Sequence, residues 1–256
     1  MTPPASQEMP QPEPIVAPLA VGRGPTYFLD YLWQELGGTA IYELMVHRAA
    51  ALWFLLLAAS NGFHTFDSLR HADDGAWSWA ILGHVLSSLA QTLFFVMATW
   101  IALVRSQPVA KAAGLMPRLV ALAAVVSLFA LPFLPQLSDP PTWLLFLSAG
   151  LGFLGNGLAV LVLRWLGRSF SIMSEARKLV TSGPYRFVRH PLYVTEEIAI
   201  FGIFLPYWTW VGATFFFLHL IVQLVRLNNE EKVLRTAFPE YVDYARRTAQ
   251  LVPGVW

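Results

Sequence analysis

The sequence predicts an all-α, polytopic integral membrane protein with about six transmembrane helices. Its 256 residues are 56% hydrophobic and only 13% charged, whereas soluble domains carry about 25% charged residues. Apolar runs recur along the chain, and most approach the ~20 residues that cross the hydrocarbon of a bilayer. The six predicted spans cover residues 44–63, 77–104, 116–137, 143–165, 191–207 and 209–227.

The chain divides into three predicted parts: residues 1–38, 39–168 and 169–256. In the first, residues 1–25 are rich in Pro, Ala and Gln and are expected to be disordered. Residues 27–38 mix aromatic and acidic residues, which favours a short interfacial helix. The second part holds the first four spans, and Pro132 and Pro135 are expected to kink the third. In the third part only Trp208 separates the short fifth span from the sixth, which predicts a tight helical hairpin.

The positions of Lys and Arg predict the orientation of the spans. Two alternate loops, between spans two and three and between spans four and five, hold most of the basic residues: Arg105, Lys111, Arg118, Arg164, Arg168, Arg177, Lys178, Arg186 and Arg189. The loops on the opposite side hold Arg70 together with Asp67, Asp73, Asp74 and Asp139. Because basic loops stay in the cytoplasm, both termini and the loop between spans four and five are expected to be cytoplasmic.

Composition and residue spacing exclude several classes of function. The chain has no Cys, which excludes disulfides, thiolate catalysis and cysteine metal sites. None of the six His residues has the spacing of a metal site, so we expect no metal. The basic residues lie in short loops between apolar spans, which argues against nucleic acid as a partner.

Small and polar residues in two of the spans are interpreted as packing positions. Gly150, Gly152 and Gly155 match G-x-G-x-x-G, but a dinucleotide site needs a strand before this pattern, and here the whole segment is apolar helix. We therefore expect close helix packing at the small residues of the fourth span: Ser148, Gly150, Gly152, Gly155, Gly157 and Ala159. In the second span, interhelical hydrogen bonds are expected from one polar face, made of His84, Ser87, Ser88 and Gln91.

Residues 179–193 form a polar, basic loop that ends where the fifth span begins. Gly183-Pro184 has the chemistry of a turn, and Pro191 suits the first turn of a helix. Arg189 and His190 then lie at the positive end of that helix, where backbone N–H groups favour an anionic ligand group. The alternative is a basic loop that only anchors a membrane helix.

Polar side chains also continue along one face of the sixth span. His219, Gln223, Arg226 and Glu230 occur at i, i+4, i+7 and i+11, which places them on one side of a helix. Surface ion pairs are the alternative explanation, namely Arg226–Glu230 and Glu231–Arg235. These pairs do not explain why His219 and Gln223 continue the same polar face, whereas a water- or ligand-filled cavity accounts for all four residues.

Glu196 and Glu197 lie about 8–9 Å along the helix that begins at Pro191. An unpaired carboxylate at that depth costs a few kcal/mol, so each needs a partner or a proton. Arg189, Arg226 and His219 are the candidate partners. The two carboxyl groups are therefore either part of a functional site or members of structural ion pairs.

The tail after the sixth span is expected to cap a cytoplasmic opening. Residues 228–237 continue as an amphipathic helix, and Phe238-Pro239-Glu240 breaks and restarts it. One face of the restarted helix then carries Tyr241, Tyr244, Ala245 and Thr248.

Four ordered motifs within residues 170–253 resemble the isoprenylcysteine carboxyl methyltransferase family, which is itself similar to the phospholipid N-methyltransferases. They are Leu179-Val-Thr-Ser-Gly-Pro-Tyr185, Arg189-His-Pro-Leu-Tyr193, Arg226-Leu-Asn-Asn-Glu230-Glu231 and Phe238-Pro-Glu-Tyr241-Val-Asp-Tyr244. The first four spans match only in being membrane helices. The resemblance implies S-adenosyl-L-methionine as cofactor in a cytoplasm-facing pocket, and a lipidic or amphipathic methyl acceptor that enters from the lipid bilayer.

The resemblance also implies which residues form the site. Arg226 would lie beside the substrate, and Glu196 is the carboxyl group expected to act on the acceptor. The implied cofactor contacts are Arg177, Lys178, Leu179, Val180, Tyr185, His190, Pro191, Leu192, Tyr193 and Glu230. Two residues depart from the family: Thr195 replaces a small Gly, and Arg177 stands where carboxymethylating members often have His. The methylated atom therefore stays open between carboxylate, amine and thiol.

Two alternatives remain at this point. Sterol reductases share a similar carboxy-terminal hairpin and acidic motif but use NADPH, so an NADPH-dependent reductase is the second enzymatic hypothesis. A membrane transporter or scaffold that retains the fold is the non-enzymatic one, although the sequence shows no internal inverted repeat.

Overall fold

A computed structural model describes residues 15–16, 40–71 and 79–254. In these ranges the chain forms seven α-helices: α1 (Ala40–His71), α2 (Trp79–Val104), α3 (Met116–Val126), α4 (Thr142–Leu166), α5 (Pro191–Phe204), α6 (Trp210–Ala237) and α7 (Tyr241–Arg247). The predicted interfacial helix at 27–38 and most of the predicted disordered tail lie outside the described residues. The mainly helical architecture confirms the predicted fold class.

The described helices do not all span the bilayer in the way the sequence predicted. Four segments are long and apolar enough to cross it: Arg48–Arg70, Ile81–Val104, Thr142–Ser169 and Trp210–Ala237. The predicted third and fifth spans contain α3, with 11 residues, and α5, with 14 residues, each continued by a 3-10 helix, Ser127–Phe133 or Leu205–Tyr207. The third and fifth predicted spans thus contain shorter helices than the other four, and the number of spans stays a prediction. Pro132 and Pro206 lie in the 3-10 segments, where a residue without an N–H cannot continue an α-helical ladder.

The described helices pack in a chain of neighbours that brings the carboxy-terminal part against the first helices. α1 packs on α2, α2 on α4 and α4 on α5, while α3 packs on α6. A buried apolar cluster fills the meeting point of α1, α2, α4 and α5, with Phe54, Phe94, Leu163, Phe170 and Leu192 among its members. Many large apolar side chains face outward, and Trp210 is 92% exposed, as expected for a surface in contact with lipid.

Glycines allow the close approach of α4 to its neighbours at two positions. A Cβ atom at Gly155 would overlap the backbone nitrogen of Ala199, and one at Gly152 would overlap Ser87 Oγ. These contacts confirm the packing interpretation for Gly152 and Gly155. It is wrong for Gly150 and Gly157, where an added Cβ would meet nothing within 4 Å.

A small sheet fixes the start of the loop between α4 and α5. β2 (Ala110–Lys111) pairs antiparallel with β3 (Glu175–Ala176), and β1 (Ile15–Val16) pairs parallel with β2. The two residues of β1 therefore depart from the expected disorder of residues 1–25. Because β3 directly precedes Arg177, the sheet positions the loop that leads to the predicted site.

Candidate active site

The loop from Gly183 to the start of α5 is held by a turn and by the carboxy-terminal tail. Gly183 has φ of 62°, which favours glycine, and the Trp165 ring lies where a Cβ would project. α5 begins at Pro191, as predicted. The backbone N–H groups of Arg189 and His190 donate to the carbonyl oxygens of Ala249 and Gln250. These two donors are therefore engaged by the tail, while anion binding at the start of α5 stays a prediction.

Arg189 and His190 form a buried cluster with Glu231 of α6. Arg189 Nε lies 2.7 Å from Glu231 Oε1, and His190 Nε2 lies 3.2 Å from the same oxygen. Arg189 Nη1 also donates to the carbonyl oxygens of Ala245 and Thr248. Arg189 thus clamps the start of α5 to α6 and the tail.

A cleft opens beside this cluster, and we refer to it as the inner cleft. Its cavity volume is about 70 Å³. Nine of the ten implied cofactor contacts line it: Arg177, Lys178, Leu179, Val180, Tyr185, His190, Leu192, Tyr193 and Glu230. Pro191 is buried but does not line the cleft. The structure therefore brings together residues that are far apart in the sequence.

The charged side chains of the inner cleft differ in whether they already have ion-pair or hydrogen-bond partners in the protein. Arg177 is fully buried, with Nη2 at 2.6 Å from Glu175 Oε2 and Nη1 donating to the Ser106 carbonyl oxygen. Lys178 is exposed, and it makes no ion pair within the described residues. Glu230 Oε2 accepts a hydrogen bond of 2.9 Å from Tyr193 Oη. Lys178 and Glu230 are thus the charged groups best placed to meet a ligand, while Arg177 supports the loop.

Aromatic side chains form much of the remaining wall. Tyr244 Oη donates a 2.5 Å hydrogen bond to the Tyr185 carbonyl oxygen, so the tail closes one side of the cleft, as predicted. Burial raises the pKa of Tyr244 to about 12 and holds the pKa of Tyr185 well above its usual value of 10. Both side chains stay neutral at physiological pH, and they offer flat, uncharged surfaces to a ligand.

A second and larger space, which we name the apolar cavity, lies between α1, α2, α3, α4, α5 and α6. Its volume is about 500 Å³. Phe54, Phe94 and Phe95 contribute to its wall, and His219 and Gln223 project into it from α6. The polar stripe of the sixth span therefore lines a cavity in the structure. The parts of the wall contributed by α1, α2 and α4 were missed from the sequence, although Asn61 and Asn156 interrupt apolar runs and could have indicated them.

Three residues border both spaces: Phe170, Glu196 and Arg226. Arg226 Nη2 donates to the Ile172 carbonyl oxygen at 3.0 Å, and its guanidinium lies 5.1 Å from the centre of the Tyr193 ring. It does not form the ion pair with Glu230 that was considered as an alternative, whereas the other considered pair, Glu231–Arg235, is present at 3.2 Å.

The two adjacent carboxyl groups of α5 have different surroundings. The Glu196 carboxyl makes no hydrogen bond within the described residues, and it faces both the inner cleft and the apolar cavity. Glu197 Oε1 accepts a 2.9 Å hydrogen bond from Gln223 Nε2 and lies 3.3 Å from His219 Nε2. Glu197 is therefore the structurally paired member, and Glu196 is the one available to a ligand.

Comparison with known proteins supports a methyltransferase for this part of the chain. Residues 143–241 match the model of a family described as phospholipid methyltransferase. The cobalt-zinc-cadmium resistance protein CzcN of Cupriavidus metallidurans is 35% identical over 113 residues, which are 44% of this chain and 52% of that protein. The nickel-cobalt-cadmium resistance protein NccN of Alcaligenes xylosoxydans xylosoxydans is 31% identical over 113 residues, 44% of this chain and 53% of that protein. The chain thus spans about half the length of the curated relatives it matches.

Proposed function

We propose that this protein is an S-adenosyl-L-methionine-dependent integral membrane methyltransferase that acts on a lipidic or amphipathic acceptor by carboxyl O-methylation or amine N-methylation. The observation that carries the proposal is the wall shared by the two spaces. Glu196 and Arg226 face the polar inner cleft on one side and the apolar cavity on the other. A donor and a hydrophobic acceptor held in separate spaces could therefore meet at these two side chains.

The residues of the inner cleft fit the chemistry of this cofactor. Its carboxylate suits the exposed ammonium of Lys178, its sulfonium and ribose suit the carboxylate of Glu230, and its adenine suits the tyrosine wall. The Arg177 Nε atom is buried and has no hydrogen-bond partner. Ligand pockets are usually about 300–1,000 Å³, so the inner cleft, at about 70 Å³, must widen when a cofactor enters.

Each side chain at the shared wall has a proposed task. When bound, the cofactor supplies a methyl group on a positively charged sulfur. Tyr193 holds the Glu230 carboxylate through a hydrogen bond, and Phe170 keeps water from the boundary between the spaces. Glu196 can accept a proton from the acceptor or stabilise a positive charge that develops on it. Arg226, held by the Ile172 carbonyl oxygen, can instead orient an anionic acceptor.

Binding of radiolabelled S-adenosyl-L-methionine to the detergent-purified chain tests the proposal, with NADPH as competitor. We expect saturable binding that NADPH does not displace. Glu230→Gln removes the negative charge beside Tyr193 and should weaken this binding at least about tenfold, the loss of one charge-assisted contact. Glu240→Gln is the matched control, because Glu240 is exposed on the tail and does not line the cleft.

The possible results distinguish the methyltransferase, the reductase and the transporter or scaffold. Displacement by NADPH would favour the reductase, and absence of binding of both S-adenosyl-L-methionine and NADPH would favour a transporter or scaffold. A folded Glu230→Gln variant with native affinity would remove Glu230 from the cofactor site. The two relatives are named for metal resistance. No group of three or more His, Cys, Asp or Glu suited to a metal ion occurs in the part of the chain that the structure describes.

A further inference from the structure

The side chain of His219 has one nitrogen that the fold leaves without a partner. His219 is 2% exposed and lines the apolar cavity. Its Nδ1 lies 2.9 Å from Ser127 Oγ, while its Nε2 is buried and makes no hydrogen bond to any described residue. A buried polar atom in this state is destabilising unless a partner arrives. By contrast, the amide groups of Asn61 and Asn156 in the cavity wall donate to carbonyl oxygens.

The contacts of Ser127 indicate which tautomer the imidazole ring of His219 adopts. Ser127 Oγ donates to the Ala124 carbonyl oxygen at 2.8 Å, and a hydroxyl has only one hydrogen. With that hydrogen on the Ala124 carbonyl oxygen, the contact between Ser127 and His219 uses the N–H at Nδ1, with the serine oxygen as acceptor. In the neutral ring this leaves a lone pair on Nε2, so Nε2 is a hydrogen-bond acceptor.

Glu197 does not satisfy this nitrogen. Glu197 Oε1 lies 3.3 Å from His219 Nε2, but the two groups are not aligned as a hydrogen bond, and Oε1 already accepts one from Gln223. The second oxygen, Oε2, is also buried without a partner among the described residues. His219 Nε2, which lines the apolar cavity, thus has unused capacity to accept a hydrogen bond.

We propose that the apolar cavity binds a hydrophobic molecule bearing a hydroxyl group, which donates its hydrogen to His219 Nε2. Nε2 belongs to a residue nine positions after the start of α6, about 13 Å along the helix and near the middle of the hydrocarbon. At that depth an uncharged hydroxyl is desolvated at far lower cost than an ammonium group. The aromatic and aliphatic wall accommodates the apolar body of the molecule.

The position of this hydroxyl also limits the class of methyl acceptor, and this step rests on the proposed function. Arg226 follows His219 by seven residues, which is about 10 Å along the helix. An acceptor that reaches both ends of the cavity would carry its methylated group at Glu196 and Arg226, and a separate hydroxyl about 10 Å away on its apolar body. Simple fatty acids and amines, with a single polar end, lack this second group.

The test compares two molecules of equal size that differ only in the donated hydrogen. Dodecanol and undecyl methyl ether compete with tritiated dodecanol for the full chain in phosphatidylcholine nanodiscs, with empty nanodiscs subtracted. We expect dodecanol to compete about fivefold to tenfold better than the ether, the ratio that one net hydrogen bond supports. His219→Phe should abolish this ratio while keeping affinity for the ether, because the ring is retained and both nitrogens are lost.

Two further variants keep the result interpretable. Ser127→Ala frees Nδ1, so the ring can move its hydrogen to Nε2, and the ratio should fall even if His219→Phe does not fold. His84→Phe is the control, because His84 is exposed on α2 and lines neither the inner cleft nor the apolar cavity; it should leave the ratio unchanged. Equal competition by both molecules in the native chain would mean that water satisfies Nε2 and would overturn the proposal. So would a ratio that survives in His219→Phe and Ser127→Ala, or one that His84→Phe also abolishes.

Binding of S-adenosyl-L-methionine is measured in the same preparations. Loss of the dodecanol ratio with intact cofactor binding would overturn the hydroxyl site alone. An intact ratio without cofactor binding would overturn the methyltransferase and leave the hydroxyl site in place.

Discussion

At the scale of single residues, basic side chains that look equivalent in the sequence have different tasks in the fold. Arg189 is enclosed by Glu231 and the tail carbonyl oxygens, whereas Lys178 is exposed at the inner cleft. The sequence could place both in one basic loop, since local patterns define the loop and the helix start at Pro191. It could not separate them, because the partners that enclose Arg189 lie over forty residues away on α6 and the tail.

Glu231 provides a direct test of the clamp. It accepts contacts from Arg189, His190 and Arg235 and is 7% exposed. Glu231→Gln should lower the midpoint of thermal unfolding in detergent, because breaking a buried ion pair costs about 3–5 kcal/mol. Asp243→Asn is the control, since its ion pair with Arg246 is mostly exposed and such pairs contribute little. Tryptophan fluorescence follows the unfolding. Equal effects of the two variants on the midpoint would contradict a structural clamp.

Glu196 is the residue whose role depends most on the shared wall. Glu196→Gln keeps the shape of the side chain but removes its ability to take a proton or balance a positive charge. Transfer of tritiated methyl from S-adenosyl-L-methionine into the lipid extract of membranes containing the protein should fall about a hundredfold or more. Cofactor affinity should stay within about twofold, because Glu230 and Tyr193 are retained. Native transfer by this variant would reduce Glu196 to a structural group.

At the scale of helices, apolar composition predicted where helices occur better than how far each continues. The starts of α5 at Pro191 and of α7 after Phe238-Pro239-Glu240 follow from proline chemistry and match the structure. The change from α3 to a 3-10 helix at Ser127 was not predicted, because residues 119–135 are apolar apart from Ser127 itself. That change matters for the site, since it is Ser127 that bonds to His219.

The packing of α4 on α5 gives a prediction with a control in the same helix. Gly155→Ala places a methyl group against the Ala199 backbone and should destabilise the protein by about 1–3 kcal/mol through overpacking. Gly157→Ala adds the same group where nothing lies within 4 Å and should be neutral or slightly stabilising, because Ala favours a helix over Gly by about 0.5–1 kcal/mol. Retained activity after heating would rank the two variants. An equal loss would show that α4 does not approach α5 this closely.

At the scale of the whole molecule, the loops gather at two opposite ends, as alternating spans require. At one end, Ser106 N–H donates to the Arg168 carbonyl oxygen, and Val109 N–H donates to the Ala176 carbonyl oxygen. At the other, Leu137 N–H donates to the Pro206 carbonyl oxygen at 2.9 Å. The first end carries the basic loops, the inner cleft and the tail, and the side of the membrane that this end faces stays a prediction from the charge pattern.

The sidedness itself follows from the positive-inside rule and is open to a labelling experiment. Because the native chain has no Cys, single cysteines report without background. Ser182→Cys and Asp243→Cys, both at exposed positions of the inner-cleft end, should react with a membrane-impermeant maleimide only after the cytoplasmic face is opened. Asp139→Cys is at an exposed position of the opposite end and should react in intact cells. The basic loops carry the charges that oppose translocation, so this pattern places the inner cleft where a water-soluble cofactor is available. Labelling of Ser182→Cys and Asp139→Cys from the same face would contradict the two-ended arrangement, and exchange of the two patterns would place the cleft outside the cell.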